Sequence, residues 1–325
     1  ELIRIFQKLG ADVKVVMSEE AKKFITPLTF EAISKFEVLH KDSKSWSNGV
    51  NHVQYASWGD IFIIAPASVN SINSLSCGIS TNLLTDTYLA FDKQVIIAPS
   101  ANEKMISKQQ TKDSLQRLES YGCEIITPIK KELACGVIGD GGLEEVEEIV
   151  YRTIKALSQH RLEYLKVIVT GGGSSEDIDD VRYIGNHSSG KMASNLALVL
   201  YFLGAEVIFI TSKMPYLLPK GVEVVFASSG EEFLDSINRY SHGTKLLIMC
   251  AAIADFLPQK KVDGKIKKGN QETISLDLKL NIDILESLKN SNMIRVGFKA
   301  ESDEGSGVAN AKKMLERKSL HGVAL

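Results

Sequence analysis

The sequence contains no long apolar run and few cysteines, and both absences limit what the protein can be. No stretch reaches the ~20 consecutive apolar residues that a membrane-spanning helix needs, and the first residues do not form a signal peptide. Wide cysteine spacing without a C-x-x-C pair argues against a zinc site or a disulfide framework, and it predicts a reducing, cytoplasmic environment. The cysteines are Cys77, Cys123, Cys135 and Cys250.

An excess of one charge is also absent. The 38 basic and 40 acidic residues leave a formal net charge of −2, so no broad basic surface for a polyanion is indicated. We therefore expect neither nucleic acid nor a membrane as a partner. The hydrophobic fraction of 44% and the charged fraction of 24% are ordinary for a globular protein. A length of 325 residues gives room for two domains, each with its own core.

Short apolar runs alternate with helical segments along the whole chain. In the first half, the runs typical of buried parallel strands are residues 13–17, 61–66 and 95–99. The segment 143–157 has helical periodicity and closes this half, and the polar residues 158–164 are interpreted as a linker. In the second half, strands are predicted at residues 166–170, 206–211, 222–227, 245–250 and 295–298. The pattern predicts an α/β fold with two doubly wound, Rossmann-like domains, residues 1–157 and 165–325.

The first candidate site is a glycine-rich turn followed by a helix start. Gly171, Gly172 and Gly173 follow the apolar run 167–169 and let the backbone turn sharply at the end of a strand. The residues before the apolar helix 193–203 are small or polar: Asn186, Ser188, Ser189 and Gly190. Unpaired N–H groups and the positive dipole end of such a helix suit a phosphate. The string is neither a Walker loop nor G-x-G-x-x-G, and a purely structural turn is an equal alternative.

Three more segments of the second half carry candidate residues. The small residues of A-A-I-A-D-F, 251–256, let a planar ligand approach the backbone, and Asp255 can bind a ribose hydroxyl, a base edge or a cation. The string K-I-K-K, 265–268, is flanked by glycines and is interpreted as a mobile basic flap. Phe298 ends another strand, where it can reach a nucleotide base. The structural alternatives are a solvated aspartate, a solvated lysine loop and a core phenylalanine.

The string V-R-Y-I-G-N-H-S-S-G-K-M, residues 181–192, resembles a motif of the bifunctional coenzyme A biosynthesis flavoproteins, R-Y-I-x-N-x-S-S-G-K-M of their phosphopantothenate–cysteine ligase half. Residues 65–84 resemble the A-P-A-T-A-N-T-I segment of the decarboxylase half, and residues 132–143 resemble its E-L-A-C-G-x-x-G-x-G-R-L segment. A lysine cluster follows A-A-x-A-D at the family's spacing, and V-G-F-K-A-E-S resembles V-G-F-x-A-E-T. The resemblance implies a flavodoxin-like flavoprotein domain of the HFCD type followed by a ligase domain.

For the second half, the resemblance implies amide formation between 4′-phosphopantothenate and cysteine. CTP with Mg²⁺ activates the carboxylate as an acyl-cytidylate and releases pyrophosphate, and the amine of cysteine then displaces CMP. Motif position assigns Asn186 to orient the acyl group, Arg182 to bind anionic charge and Lys265 to assist turnover of the intermediate. The residues assigned to the nucleotide, the intermediate and the metal are Gly172, Ser189, Ala252, Asp255 and Phe298, with Asp255 as the Mg²⁺ ligand.

For the first half, the resemblance implies FMN-dependent decarboxylation of the ligation product to 4′-phosphopantetheine. The flavin oxidises the cysteinyl thiol to a thioaldehyde, which loses CO₂, and reduced flavin with a proton donor restores the thiol. His52 is assigned as acid/base or as partner of the substrate carboxylate, Asn102 as a ligand of that carboxylate and Cys135 as proton donor. The flavin is expected to contact Ser68, Asn70 and Ser71.

The chain departs from the family pattern at several positions. Ala101 and Ile106 replace the methionine and tryptophan of P-A-M-N-x-x-M-W, and Gly142 replaces an arginine. We expect the first strand of the flavin domain and the final strands of the ligase domain to lie outside residues 1–325. Two alternatives stay open: a ligase with a non-catalytic flavoprotein-fold domain, and a non-catalytic regulatory flavoprotein. The family also implies a homo-oligomer, with trimers of flavin domains and pairing of ligase domains.

Overall fold

The computed structural model describes residues 1–132, 136, 138–216, 218–268, 273–300 and 307–325. Backbone contacts divide the chain into Glu1–Leu157 and Ser158–Leu325, here called unit 1 and unit 2. Each unit is built on its own parallel sheet with flanking helices, so the predicted α/β class is confirmed.

The elements of unit 1 are numbered in chain order, and the numbering continues into unit 2. Its helices are α1 (Leu2–Lys8), α2 (Pro27–Ser34), α3 (His52–Trp58), α4 (Val69–Ser76), α5 (Leu83–Ala90), α6 (Glu103–Ile106), α7 (Gln109–Ser120) and α8 (Val146–Leu157), with a 3₁₀ turn at Ala21–Lys23. Its strands are β1 (Ile61–Ala67), β2 (Gln94–Pro99), β3 (Glu124–Ile125), β4 (Ile129–Glu132) and β5 (Ile138–Gly142). β1, β2 and β3 form a parallel sheet in that order, and β4 and β5 form an antiparallel hairpin.

β1 and β2 are apolar because helices cover both faces of their sheet. Ile64 and Ile97 pack with Leu118 of α7 on one face, whereas Ile96 packs with Ile149 of α8 on the other. Successive side chains of a strand point to opposite faces, so covering both faces requires a continuous apolar run.

The elements predicted for unit 1 are confirmed with one exception. The strands at 61–66 and 95–99 correspond to β1 and β2, and the helix at 143–157 corresponds to α8. The strand predicted at residues 13–17 is wrong. Met17 N–H donates to Leu39 O and Leu39 N–H donates to Val15 O, both at 2.9 Å, which forms a single isolated bridge. Within the described residues no strand of the three-stranded sheet pairs with this segment, so its apolar run does not extend into a ladder.

Unit 2 holds a larger sheet. Its strands are β6 (Lys166–Gly171), β7 (Ser175–Asp177), β8 (Tyr183–Gly185), β9 (Glu206–Thr211), β10 (Glu223–Phe226), β11 (Leu246–Met249), β12 (Phe256–Pro258), β13 (Leu278–Leu280), β14 (Ile294–Phe298) and β15 (Gly322–Ala324). Its helices are α9 (Lys191–Phe202), α10 (Gly230–Tyr240), α11 (Ile284–Ser287) and α12 (Gly307–Arg317). The parallel sheet has the order β10-β9-β6-β11-β14-β15, and β7–β8 and β12–β13 are antiparallel pairs.

Helices on both faces of this sheet explain its apolar strands. Val167 and Val169 of β6 pack towards α9, and Ile168 between them packs with Phe233 of α10. The five strands predicted for the second half are confirmed as β6, β9, β10, β11 and β14. Leu162, from the segment predicted as a linker, packs on the α9 side, and its N–H donates to Leu203 O at 2.9 Å. The strand order reverses between β6 and β11, and open α/β sheets bind ligands at the carboxyl ends of such neighbours.

Candidate active sites in the two units

The glycine turn after β6 is closely packed. Gly172 has a φ of +81°, and a Cβ there would overlap Ser212 Oγ, whose hydroxyl donates to Gly173 O at 2.7 Å. A Cβ on Gly173 would overlap the carbonyl oxygen of Asn186. Glycine is therefore required at both positions, and the turn brings the Asn186 backbone directly against the end of β6.

The segment that follows β11 lies beside this turn. Ala252 N–H donates to Gly172 O at 2.8 Å, and its carbonyl accepts from Ser174 N–H at 3.0 Å. Asn186 reaches the same segment, because its Nδ2 donates to Ile253 O at 3.0 Å. Three predicted ligase residues, Gly172, Asn186 and Ala252, thus lie together where the strand order reverses.

Helix α9 begins at the same place. Its N-cap residue Gly190 has a φ of +71°, and Gly172 N lies 3.4 Å from the position that a Cβ on Gly190 would take. Gly190 has no side chain to cap the first N–H groups of this 12-residue helix. Ser189, just before it, is exposed. Its Oγ accepts from Lys191 N–H at 3.4 Å. The glycine turn and the start of α9 therefore lie together and are here called the glycine cradle, and such a helix start suits a phosphate.

Two more predicted ligands lie at neighbouring strand ends. Asp255 is exposed, and its carboxylate has no hydrogen bond or ion pair with any residue that the structure describes. Phe298 is partly exposed at the end of β14, where Gly297 pairs with Met249 of β11. Phe298 therefore lies one strand away from the segment that contains Ala252. Among the described residues, no three or more His, Cys, Asp or Glu side chains are grouped to hold a metal ion.

Arg182 and the lysine segment meet through a buried aspartate. Arg182 Nη2 donates to Ile266 O at 2.7 Å, and it also pairs with Asp179 Oδ2 at 2.7 Å. Lys265 precedes Ile266, and it is exposed. The structure thus brings the backbone around Lys265 to Arg182.

Asp179 was not predicted as a site residue. Its side chain is fully buried, and its carboxylate accepts the N–H groups of Val181, Arg182 and Ile266 at 2.7–3.0 Å. Burial raises the pKa of Asp179, but these backbone hydrogen bonds and the Arg182 guanidinium outweigh it and lower the pKa to about 2. In the string S-E-D-I-D-D the acids look alike, so the sequence carried no signal that this one is enclosed.

Glu176 is a second buried acid that sequence reasoning missed. Its Oε1 accepts from Gly230 N–H at 3.0 Å, at the start of α10, and from Asn281 Nδ2 at 2.9 Å. Asn281 Nδ2 also donates to Ala254 O at 2.8 Å. Through Asn281, the carboxylate therefore ties the segment before Asp255 to the start of α10. Only the folded topology reveals this, because its partners are 54 and 105 residues away in sequence.

In unit 1, the predicted flavin ligands lie at the carboxyl ends of neighbouring strands. Ser68 caps α4 directly after β1, and its Oγ accepts from Ser71 N–H at 3.2 Å; Asn70 is exposed on the first turn. Asn102 follows β2 and caps α6, where its Oδ1 accepts from Lys104 N–H at 3.0 Å. Ser100 N–H donates to Ala67 O at 2.9 Å, so the two loops are adjacent.

The β4–β5 hairpin docks on the loop that carries Asn102. Ala101 N–H donates to Gly141 O at 2.9 Å, and a Cβ on Gly141 would overlap Ala101 O. Glu132 and Ile138 pair at the end of the hairpin. Cys135 lies between them and outside the described residues.

His52 is the first residue of α3, after the N-cap Asn51. Its Nδ1 is enclosed and has no hydrogen-bond partner within the part of the chain that the structure describes, and its ring makes an edge contact with Trp46 at 5.7 Å. The structure gives no contact that joins His52 to Asn102. No described protein group therefore fixes the tautomer of this imidazole.

A cleft of unit 1 lies away from these residues. It has a volume of about 550 Å³ and is lined by Tyr88, Arg117 and Cys123, close to the start of β2. Arg117 Nη1 lies 3.8 Å from Cys77 Sγ there. This cleft is therefore at the end of the sheet opposite to Ser68 and Asn102.

Both units match known families, and the matches define the class of protein. Residues 1–158 match the family described as Flavoprotein, and residues 162–325 match the DNA/pantothenate metabolism flavoprotein C-terminal domain. The chain is therefore a flavoprotein domain followed by a pantothenate-metabolism domain.

Relatives similar to the whole chain are named coenzyme A biosynthesis bifunctional protein CoaBC. The Bacillus subtilis (strain 168) protein is 37% identical over 318 residues, which cover 96% of this chain and 78% of the relative. The Haemophilus influenzae protein is 36% identical over 325 residues, which cover 98% and 80%. A solved structure, PPC decarboxylase mutant C175S complexed with pantothenoylaminoethenethiol, is 30% identical, with a TM-score of 0.42, over 47% of this chain and 86% of its own.

The chain belongs to the family of bifunctional coenzyme A biosynthesis proteins, as its motifs predicted. It is an enzyme with a decarboxylase domain and a ligase domain. Within the described residues, no helix has both the length and the apolar character to cross a membrane.

Proposed function

We propose that the chain joins 4′-phosphopantothenate to cysteine with CTP in unit 2 and then decarboxylates the product to 4′-phosphopantetheine with FMN in unit 1. The observation that carries the ligase assignment is the convergence of Gly172, Asn186 and Ala252 at one edge of the unit 2 sheet. Family membership supports both halves of the proposal.

The ligation has two steps with the same electrostatic problem. An oxygen of the substrate carboxylate attacks the α-phosphorus of CTP, and the bond to pyrophosphate breaks. The amine nitrogen of cysteine then attacks the acyl carbon, CMP leaves, and the nitrogen loses a proton. Both steps bring anions together, so the site has to hold N–H donors and cations in fixed positions.

The unit 2 residues can meet this need. The glycine cradle, with Gly172 and Ser189, offers backbone N–H groups to the phosphates. Asn186 Nδ2 donates one hydrogen to Ile253 O. Its second amide hydrogen and its Oδ1 make no hydrogen bond with a described residue, so they can orient the acyl group. Ala252 leaves space against the backbone for the intermediate, and Phe298 can stack on the base.

Mg²⁺ fits this site as a partner of the nucleotide. Asp255 offers a carboxylate without a protein partner among the described residues, and the described chain contributes no cluster of further acidic ligands there. Mg²⁺ usually binds one or two carboxylates together with substrate phosphates and waters, which matches this donor set. Arg182 and Lys265 are proposed to contribute positive charge to the binding of the anionic substrates.

The unit 1 residues fit a flavin. Hydroxyl and amide groups of Ser68, Asn70 and Ser71 gather at the start of α4, next to the loop that carries Asn102. Bound there, FMN would supply the reversible two-electron oxidation that decarboxylation of a cysteinyl group needs.

Three other groups of unit 1 are proposed to act on the substrate. Asn102 would bind the substrate carboxylate. His52, whose Nδ1 has no hydrogen-bond partner among the described residues, would take the tautomer that the substrate requires. Cys135, on the hairpin connection, is proposed as the proton donor.

We also propose residues 1–157 and 165–325 as the decarboxylase and ligase domains, with 158–164 between them. A cytoplasmic location and a homo-oligomer built from flavin-domain trimers and ligase-domain pairs stay predictions. Sedimentation of the flavin-bound protein would test the assembly.

The ligase proposal is tested by mixing the protein with CTP, Mg²⁺, 4′-phosphopantothenate and cysteine. With cysteine, we expect pyrophosphate and CMP in equal amounts. Without cysteine, pyrophosphate release should stop at about one equivalent per site, and no CMP should form, because the cytidylyl group stays in the acyl-cytidylate. A wild-type protein that releases no pyrophosphate would overturn the assignment.

The flavin proposal is tested by visible absorption and by CO₂ release from supplied phosphopantothenoylcysteine. The replacements Ala101 and Ile106 favour one competing function, a ligase whose flavin domain is non-catalytic. A colourless protein that still releases pyrophosphate would establish that alternative.

A further inference from the structure

Residues 261–268 of unit 2, here called the basic segment, run along residues 177–182. Val262 N–H donates to Ile178 O at 2.9 Å, and Asp180 N–H donates to Gly264 O at 3.3 Å. All residues of the basic segment except Ile266 are exposed, so apolar burial contributes little to its position. Its lysines are Lys261, Lys265, Lys267 and Lys268.

Asp179 and Arg182 hold the basic segment through both backbone groups of Ile266. Asp179 Oδ2 accepts from Ile266 N–H at 3.0 Å, and Arg182 Nη2 donates to Ile266 O at 2.7 Å. The two side chains also pair with each other at 2.7 Å. Ile266 is therefore clamped at the residue next to Lys265.

The ion pairs that Lys261 makes between these two segments are weaker anchors. Lys261 pairs with Asp177 at 2.7 Å, but the two side chains are 48% and 52% exposed. Exposed pairs are screened by water and contribute little to stability. Asp179 is fully buried, so its hydrogen bonds do not compete with water.

The clamp is joined directly to the glycine cradle. Asp179 and Arg182 lie in the connection between β7 and β8, and Asn186 follows β8. The same hairpin begins after Ser174, whose N–H donates to Ala252 O at 3.0 Å. A single hairpin therefore carries Asn186 on one side and fixes the basic segment on the other.

We propose that Asp179 is a positioning residue of the ligase, which clamps Ile266 and so holds Lys265 at the edge of the glycine cradle. The inference rests on the ligase function proposed for unit 2. Arg182 acquires a second role, because its guanidinium is shared between Asp179 and Ile266 O. Asp179 need not touch substrate for either role.

The test is Asp179→Asn in the whole protein, with Asp177→Asn as the matched control. Asparagine keeps the shape but replaces one accepting oxygen with a donor, so it cannot accept both Ile266 N–H and the bonds of Val181 and Arg182. We expect amide exchange at Val262 and Ile266 to accelerate about tenfold or more. The ligase kcat should fall on the order of 10²-fold with a smaller change in KM. A misplaced Lys265 weakens stabilisation of the transition state more than it weakens binding of the substrate.

The possible outcomes distinguish a failure of the proposed clamp from a failure of the proposed ligase function. Unchanged amide exchange in Asp179→Asn, or faster exchange with unchanged kcat, would overturn the proposal. Absent pyrophosphate release by the wild type would defeat the proposed function instead, and exchange would still report on the clamp. If Asp179→Asn does not fold, Ile266→Pro removes the N–H that Asp179 accepts. It should accelerate amide exchange at Val262 and lower the ligase kcat in the same way.

Discussion

Gly172 combines two constraints that only glycine meets, a φ of +81° and a space already filled by Ser212 Oγ. The left-handed conformation alone costs another residue about 1–2 kcal/mol. The overlap adds to this cost and displaces the turn from Ser212, which disturbs the contacts of the turn with Ala252 and Asn186. A single methyl group should therefore disturb both the stability and the cradle.

We predict that Gly172→Ala lowers the free energy of unfolding by more than the about 1–2 kcal/mol of the φ term, and that ligase activity falls at least about tenfold. Urea unfolding and pyrophosphate release measure the two effects. Gly243→Ala is the matched control, because Gly243 has a φ of +76° and no atom within 4 Å of an added Cβ. Equal losses in both variants would contradict the crowding argument.

The depressed pKa of Asp179 gives a prediction about pH. The group has a folded pKa of about 2 against an ordinary value of 3.8, so its stabilisation is present above pH 3.8 and disappears as the pH falls towards 2. We expect the difference in unfolding free energy between wild type and Asp179→Asn to narrow over that interval. Chemical unfolding at pH 5, 3.5 and 2.5 measures it. A difference that is independent of pH would show that the carboxylate is not specially stabilised in its charged form.

At the scale of elements, the β4–β5 hairpin depends on close backbone contact with the loop of Asn102. Ala101 N–H donates to Gly141 O, and no side chain fits at Gly141. The hairpin also carries the connection that contains Cys135. Its docking therefore fixes the two ends of that connection, Glu132 and Ile138, relative to the Asn102 loop.

We predict that Gly141→Ala lowers the rate of CO₂ release from supplied phosphopantothenoylcysteine at least about tenfold, because the hairpin must move away from the Asn102 loop. Ligase activity should not change. Gly122→Ala is the control in the same unit, since Gly122 has a φ of +86° and open space at its Cβ position. Decarboxylation as fast as in this control would mean that the hairpin does not position the site.

The elements also show where sequence reasoning succeeds and where it stops. The sequence predicts β6 and β9 because a sheet covered by helices on both faces needs an apolar residue at every strand position. That pattern is visible in the sequence of the strand itself. The run at 13–17 has the same apolar character, but within the described residues no strand of the sheet pairs with it. Whether a run pairs as a strand depends on residues that are distant in the sequence. Motifs likewise located Gly172, Asn186 and Ala252. The sequence does not predict a role for Asp179, because the N–H group that donates to it, that of Ile266, lies 87 residues away.

At the scale of the whole chain, the two units share one architecture, although one is a decarboxylase domain and the other is a ligase domain. Each has a separate core around a parallel sheet, and each places small and polar residues after its strands. Helix N-termini at such edges suit anions. The cores share no buried residues in the described clusters, so a change in one site need not disturb the other.

Separate cores predict that the two activities can be removed one at a time. Asn186→Asp keeps the shape of the side chain but turns a carboxylate oxygen towards Ile253 O, where Nδ2 now donates at 3.0 Å. Two acceptors repel each other, so the side chain should leave its position and ligase activity should fall on the order of 10²-fold. The same protein should keep its flavin absorption and decarboxylate supplied phosphopantothenoylcysteine at the wild-type rate. Asn102→Asp is the reciprocal variant, because a second carboxylate would repel the substrate carboxylate while unit 2 still releases pyrophosphate. If either variant lost both activities without unfolding, the two sites would have to be coupled, and the independence inferred from their separate cores would be wrong.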